Sequence, residues 1–256
     1  MRILLTNDDG IDSVGLRALS DAAVRRGHLV YISAPADQCS ANSQHITLTG
    51  PVCTRKREIG GAQAAYAVQG TPCDCVRIAG PLFDNVKFDF CLSGINNGEN
   101  VGSGVYYSGT FSAAREAAMQ YIPAAAVSIE KGSSPEALRA AAENAVLIIE
   151  KAARYSFPRM AVLNLNYPEG DPETWQPMRA CPQSRTYYID EYETRLDPRG
   201  ERYFWLSSEE HIEEAEEGSD LYLVRRGVPC ATLITSLSDE NGDQLMRAVC
   251  GDGAEA

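Results

Sequence analysis

The first 35 residues constrain the fold most. Arg2-Ile3-Leu4-Leu5-Thr6 is a run of β-forming side chains that ends abruptly at Asn7-Asp8-Asp9-Gly10. Ser13 to Val24 then carries apolar residues at helical spacing and stops at Gly27. His28 to Ser33 is a second strand-like run, closed by Ala34-Pro35. Strand, helix and strand in so short a stretch form a βαβ unit, with a right-handed crossover and parallel strands. A chain that starts this way builds a parallel sheet and covers both of its faces with helices.

The alternation continues downstream. Ile46–Val52, Ala65–Val68, Phe88–Ser93, Ala124–Ile129 and Met160–Leu165 read as strands or hairpin arms. Thr71–Ala79, Thr110–Gln120 and Pro135–Arg154 read as helices, the last Ala-rich with a clear apolar face. From Pro168 the character changes: residues 169–205 are rich in Pro, Arg and Tyr and have no helical period. Asp220–Arg225 and Ala231–Ile234 read as further strands, and Glu240–Val249 as a short helix in a C-terminal helix and tail over 236–256. The expected architecture is one α/β domain over residues 1–256, a mostly parallel sheet with a β-rich appendage. Residues 176–220 are expected to form an exposed β-hairpin whose Tyr187, Tyr188, Tyr192, Tyr203, Phe204 and Trp205 pack on another subunit, because aromatic-rich patches mark interfaces.

A net charge of −12 argues against a nucleic-acid surface, which needs clustered Lys and Arg. It does not oppose a small phosphorylated substrate, since a divalent cation locally reverses the field. The longest apolar run, Ile122–Ile129, is too short to span a bilayer and contains Pro123. The N-terminal strand lacks the features of a secretory leader, so a cytoplasmic location is expected. The eight cysteines are scattered, with only Cys73 and Cys75 close together, and read as reduced, mostly buried small hydrophobes.

Chemistry is expected beyond the carboxyl ends of the parallel strands, where ligands of open sheets bind. Three such ends are loaded with small oxygen-bearing side chains: Asn7, Asp8 and Asp9; then Asp37, Gln38, Ser40, Asn42 and Ser43; then Ser93, Asn96, Asn97 and Asn100. Adjacent carboxylates repel unless a cation lies between them or one is protonated. Alone, Asp8-Asp9-Gly10 reads as a turn and helix cap; the two other oxygen-rich loops turn the reading toward a metal. A hard cation, Mg²⁺ or Mn²⁺ rather than Zn²⁺, takes oxygen ligands, and Ser40 and Asn96 offer a neutral pair beside the two acids. The third loop adds an anion site. Gly94, Gly98, Gly102, Gly104 and Gly109 allow close backbone approach, and Ser108-Gly109-Thr110 opens a helix whose N-terminus attracts phosphate. A cation beside an anion cradle is the minimum apparatus for phosphoryl transfer.

The residues also resemble a known family, the SurE survival-protein nucleotidases. The likeness is carried by Ile3-Leu4-Leu5-Thr6-Asn7-Asp8-Asp9-Gly10, by Gly70-Thr71-Pro72-Cys73-Asp74, and above all by Ser93-Gly94-Ile95-Asn96-Asn97-Gly98 continuing to Tyr107-Ser108-Gly109-Thr110. The resemblance implies a Rossmann-like three-layer α/β/α sandwich with a C-terminal β-hairpin extension exchanged between subunits of a homodimer or homotetramer. It implies hydrolysis of nucleoside 5′-monophosphates, often of 3′-nucleotides and sometimes of short polyphosphate. It further implies one divalent ion per subunit on Asp8, Asp9, Ser40 and Asn96. With the loop reading above, Asp8, Asp9 and Asn96 are the expected catalytic residues, and Asn97, Gly98, Asn100, Ser108, Gly109 and Thr110 the expected phosphate-binding ones. Cys39 departs from the Arg or Gln usual before the metal-binding serine, and Asn42-Ser43-Gln44-His45 departs from the usual order.

Other readings fit less well. A phospho-signalling receiver domain also opens on an acid pair that binds Mg²⁺, but it needs a phosphate-accepting Asp at a later strand end and a Lys beyond it. An aspartyl-phosphate phosphatase of the haloacid dehalogenase type needs D-x-D, whereas Asp8 and Asp9 are contiguous. A Ser-His-Asp hydrolase finds only His45 of three histidines near these loops, where a structural or rim role is the expectation.

Overall fold

The structure, a computed structural model, describes residues 1–186, 189–211 and 215–235. Tyr187, Tyr188 and the whole 236–256 segment with its expected helix lie outside the described residues. Seventeen strands and α-helices follow in order: β1 (Arg2–Thr6), α1 (Val14–Arg25), β2 (Leu29–Pro35), β3 (Cys53–Arg57), β4 (Ala64–Gln69), α2 (Pro72–Arg77), α3 (Ala79–Leu82), β5 (Phe90–Asn97), α4 (Gly109–Met119), β6 (Ala124–Ile129), α5 (Pro135–Ala152), β7 (Ala161–Tyr167), β8 (Arg179–Ala180), β9 (Ile189–Leu196), β10 (Arg202–His211), α6 (Asp220–Val224) and β11 (Cys230–Thr235).

Nine strands make one sheet in the order β3-β4-β2-β1-β5-β6-β7-β11-β8. The six from β4 to β7 run parallel, while β3 lies antiparallel to β4, and β11 antiparallel to β7. The register places Ile3 between Val30 and Phe90. Because successive side chains point to opposite faces, Ile3 and Leu5 join the core beneath α1 and α5, whereas Leu4 joins the core beneath α4. Both faces of β1 are thus buried, which is why it reads as an unbroken apolar run. The result is a three-layer α/β/α sandwich of Rossmann-like type, with β9 and β10 as a separate antiparallel pair. Among the described residues no helix is long and apolar enough to cross a membrane.

The strand order reverses between β1 and β5, and this is where the loops meet. Ser13 caps α1, its hydroxyl accepting from the Leu16 amide at 3.2 Å. Gly15 lets the start of that helix lie on β5: a Cβ there would stand 2.2 Å from the Ile95 carbonyl oxygen. Ser134 and Pro135 start α5 in the same manner, with the Ser134 hydroxyl accepting from Ala137 at 3.1 Å.

Three expectations are corrected. The expected strand Asp220–Arg225 is instead the helix Asp220–Val224, because Ser219 caps it and the buried Asp220 carboxylate accepts from the Gly102, Ser184 and Leu221 amides at 3.1, 2.8 and 2.8 Å. Five residues are too few for apolar spacing to separate helix from strand. Ile46–Val52 is a loop, since Thr47 uses its backbone amide and hydroxyl on Asp74 at 2.9 and 2.6 Å; the strand begins only at Cys53. The hairpin is narrower than 176–220: Arg179–Ala180 pairs with β11 in the main sheet, leaving residues 189–211 as the projecting arm. On that arm Tyr192, Phe204 and Trp205 are each well over half exposed. Of the described cysteines, Cys73, Cys75, Cys91 and Cys230 are buried and none is in a disulfide.

Candidate active site

Asp8 and Asp9 follow β1 directly, at the reversal point, and face different layers. The side chain of Asp8 turns toward the N-terminus of α4, where the Thr110 hydroxyl donates a short hydrogen bond to its Oδ1. Gly109 makes that approach possible, since a Cβ there would lie 2.8 Å from Asp8 Cβ and 2.9 Å from Oδ2. Asp9 instead accepts long contacts of 3.4 Å from the Asn97 amide and from Gln38 Nε2. Gln38 Nε2 also donates to Ser40 Oγ at 3.0 Å, so the second loop is tied to the acid pair through one side chain. The Cys39 amide adds a bond of 2.7 Å to the Asp8 carbonyl.

Asn96 stands near the end of β5, which runs four residues beyond the strand expected from the sequence. Its Nδ2 donates to the Gly98 carbonyl at 2.7 Å, leaving Oδ1 as the open acceptor. Ser108 caps α4 by accepting from Phe111 at 3.0 Å. The sequence expectation grouped Thr110 with phosphate, yet in the structure its hydroxyl is occupied by Asp8. Asn100 is also turned away. It is buried, its Nδ2 donates to Ser128 Oγ at 2.8 Å, and its backbone bonds to Asn164 and Asn166, fixing the loop to β6 and β7.

The loop of residues 36–48 is held by contacts the sequence expectation did not assign. Ser43 bonds to the Tyr106 and Tyr107 carbonyls at 2.7 and 3.1 Å, and Gln44 reaches the buried Glu116 at 3.2 Å. Asp74 receives Thr47 and the Thr71 amide. Burial opposes the Asp74 charge, but these hydrogen bonds outweigh it and hold the carboxyl below its usual range. The Thr71-Pro72-Cys73-Asp74 capping box was a readable signal for this anchor. His45 is exposed and offers Thr71 only its backbone carbonyl, at 2.6 Å.

Electrostatics sets Asp8 apart. Burial pushes its carboxyl up to about 6 and the neighbouring Asp9 adds to this, while the Thr110 hydroxyl and amide pull the other way. Burial raises Asp9 too, against the Asn97 and Gln38 contacts. At the same strand ends, Thr6 Oγ1, Asn7 Oδ1 and Ser93 Oγ are buried without a hydrogen-bond partner. No three His, Cys, Asp or Glu side chains converge as a metal group among the described residues. Asp8, Asp9, Ser40 and Asn96 at these strand ends carry two carboxylates, one hydroxyl and one amide oxygen, all of them hard oxygen atoms.

The family model for the survival protein SurE matches residues 3–190. The chain belongs to the SurE family. A 5′-nucleotidase SurE of Desulfovibrio desulfuricans is 40% identical over 248 residues, covering 94% of this chain and 96% of that protein. One from Nitratidesulfovibrio vulgaris is 37% identical over 254 residues, covering 99% and 94%. The crystal structure of the SurE protein from Aquifex aeolicus superposes with a TM-score of 0.81 at 29% identity, covering 97% of this chain and 99% of that one.

A carboxyl whose folded pKa lies above its unfolded value destabilises the fold as it ionises, so the metal-free protein loses stability as pH rises from about 4 through about 6. Asp8→Asn removes that charge. In EDTA the variant should retain about 1–3 kcal/mol that the wild type loses between pH 4.5 and 7.5, as read from urea unfolding at each pH. Parallel stability curves for the two proteins would show that Asp8 is not held against its charge.

Proposed function

We propose that the chain hydrolyses nucleoside 5′-monophosphates to nucleoside and inorganic phosphate, with one Mg²⁺ or Mn²⁺ per subunit held by Asp8, Asp9, Ser40 and Asn96. The observation that carries this reading is a buried carboxylate, Asp8, raised to about 6 by burial and by the adjacent Asp9, at a strand end beside neutral oxygens. That arrangement is unfavourable as it stands and is relieved by a cation. SurE membership and the named 5′-nucleotidase relatives support the substrate class.

A bound divalent ion supplies charge neutralisation to the phosphoryl oxygens. The protein's own groups do the positioning. Thr110 and the start of α4 fix Asp8 in one orientation, and the Asn96 amide, tied back to Gly98, presents its oxygen in another. Ser108 and Gly109, at the start of α4, line the side on which the phosphate enters, while the Asn97 and Gly98 amides are already used on Asp9 and the Ile129 carbonyl. Asp9, less committed than Asp8, is the carboxylate placed to accept a proton from an attacking water. The same apparatus tolerates 3′-nucleotides and short polyphosphate, because it grips the phosphoryl group rather than what carries it. Asn100 is better assigned to holding the loop than to the ligand.

Residues 1–256 act as one cytoplasmic catalytic domain, whose exposed arm 189–211 joins subunits into a homodimer or homotetramer. Trp205 and Phe204 are exposed there, and the Arg195 guanidinium lies 5.9 Å from the Trp205 ring.

Phosphate release from a panel of 5′- and 3′-nucleotides should require Mg²⁺ or Mn²⁺ and stop in EDTA. Asp9→Asn should lower kcat/KM about 100-fold or more while the fold is kept. Wild-type turnover by that variant in Mn²⁺, or full activity in EDTA, would refute the assignment. Light scattering tests the arm: deletion of residues 189–211 should give a smaller particle, and an unchanged oligomer would place the joint elsewhere.

A further inference from the structure

Cys181 and Cys230 meet at the edge of the main sheet, where the chain leaves it and where it returns. The strands β8 and β11 run parallel there, with Cys230 opposite Arg179. The Cys181 amide continues that ladder, donating to the Ala231 carbonyl at 3.0 Å. Cys181 Sγ lies 3.3 Å from Thr232 Oγ1, and the Cys181 and Cys230 thiols are hydrogen-bonded to each other. Both pack in one small apolar cluster with Val101, Leu221 and Val224.

The two thiols differ as the members of a reactive pair must. Cys181 is partly exposed, whereas Cys230 is fully buried, its Sγ 3.7 Å from the Asp220 carbonyl oxygen. Hydrogen bonds from Cys230 and Thr232 hold the Cys181 thiol below its usual range against the effect of burial. The contact with Cys181, together with burial, pushes the Cys230 thiol up. Cys181 is thus the accessible thiolate and Cys230 the protonated thiol that resolves it.

We propose that Cys181 and Cys230 form a reversible redox pair, joined as a disulfide by hydrogen peroxide and parted by a dithiol reductant. The Cys181 thiolate attacks one peroxide oxygen and the O–O bond breaks. This leaves a Cys181 sulfenic acid and a hydroxide, which takes up a proton as water. The Cys230 sulfur then attacks the Cys181 sulfur, the S–O bond breaks, and the hydroxyl leaves with the Cys230 proton as a second water. Two thiols lose two electrons, and one peroxide becomes two waters. The new bond closes the neck of the excursion over residues 182–229, which carries α6 and the projecting arm. Joining the ends of so long a loop restricts the unfolded chain more than the folded one, so the oxidised form is the more stable. The proposal does not depend on the nucleotidase reading.

The test uses the full-length protein, reduced, exposed to hydrogen peroxide, and unfolded in an alkylating reagent before peptide mapping. A peptide linking Cys181 to Cys230 should appear, and dithiothreitol should remove it. Oxidation should raise Tm by about 4 °C or more, a shift absent in Cys181→Ser. Because Cys181 is partly exposed, that variant keeps the test decisive where Cys230→Ala fails to fold. Both thiols alkylated after peroxide, either one linked to another cysteine instead, or Cys181 carried to sulfinic acid with Cys230 alkylated would overturn the pair. A linked pair with unchanged Tm would overturn its role as a staple.

Discussion

Burying one carboxylate against another is unfavourable unless something offsets both the lost hydration and the repulsion. Asp8 is 4% exposed and adjoins Asp9, and its carboxylate is supported by the hydroxyl and amide of Thr110 and by its own backbone amide. Those groups lower its pKa without returning it to the usual range. The remaining imbalance is what the proposed cation would relieve. Most other features of the site keep that imbalance in place. Gly109 allows the helix to come close, Gly15 allows α1 to press on β5, and the Asp74 anchor keeps the 36–48 loop beside the acids.

The sheet then divides the labour. Because strand order reverses at β1, the loops after β1 and β5 part to opposite layers and leave a crevice between them. Asp8 belongs to the α4 side and Asp9 to the α1–α5 side, so the pair straddles the crevice.

Much of this was legible in the sequence. β1, α1 and β2 were readable because unbroken apolar runs and a Ser cap leave few alternatives, and the oxygen-rich strand ends meet where expected, Gln38 linking Asp9 to Ser40 and the Asn97 amide reaching Asp9. The parts that escaped share a physical cause. Asp220 and Thr47 act through contacts with residues more than 25 positions away, which no local pattern records. Asn100 and Thr110 were read by composition as phosphate groups; long-range geometry turns them to Ser128 and Asp8.

The account depends on a cation binding where Asp8 and Asp9 meet, and calorimetric titration of Mn²⁺ into the metal-free protein measures this without any turnover. One ion per chain should bind, with proton release that grows as the pH is lowered from 8 toward 6, because Asp8 is then increasingly protonated before binding. Asp8→Asn should abolish both the binding and the proton release. Binding of undiminished affinity in that variant, or no saturable site in the wild type, would contradict it.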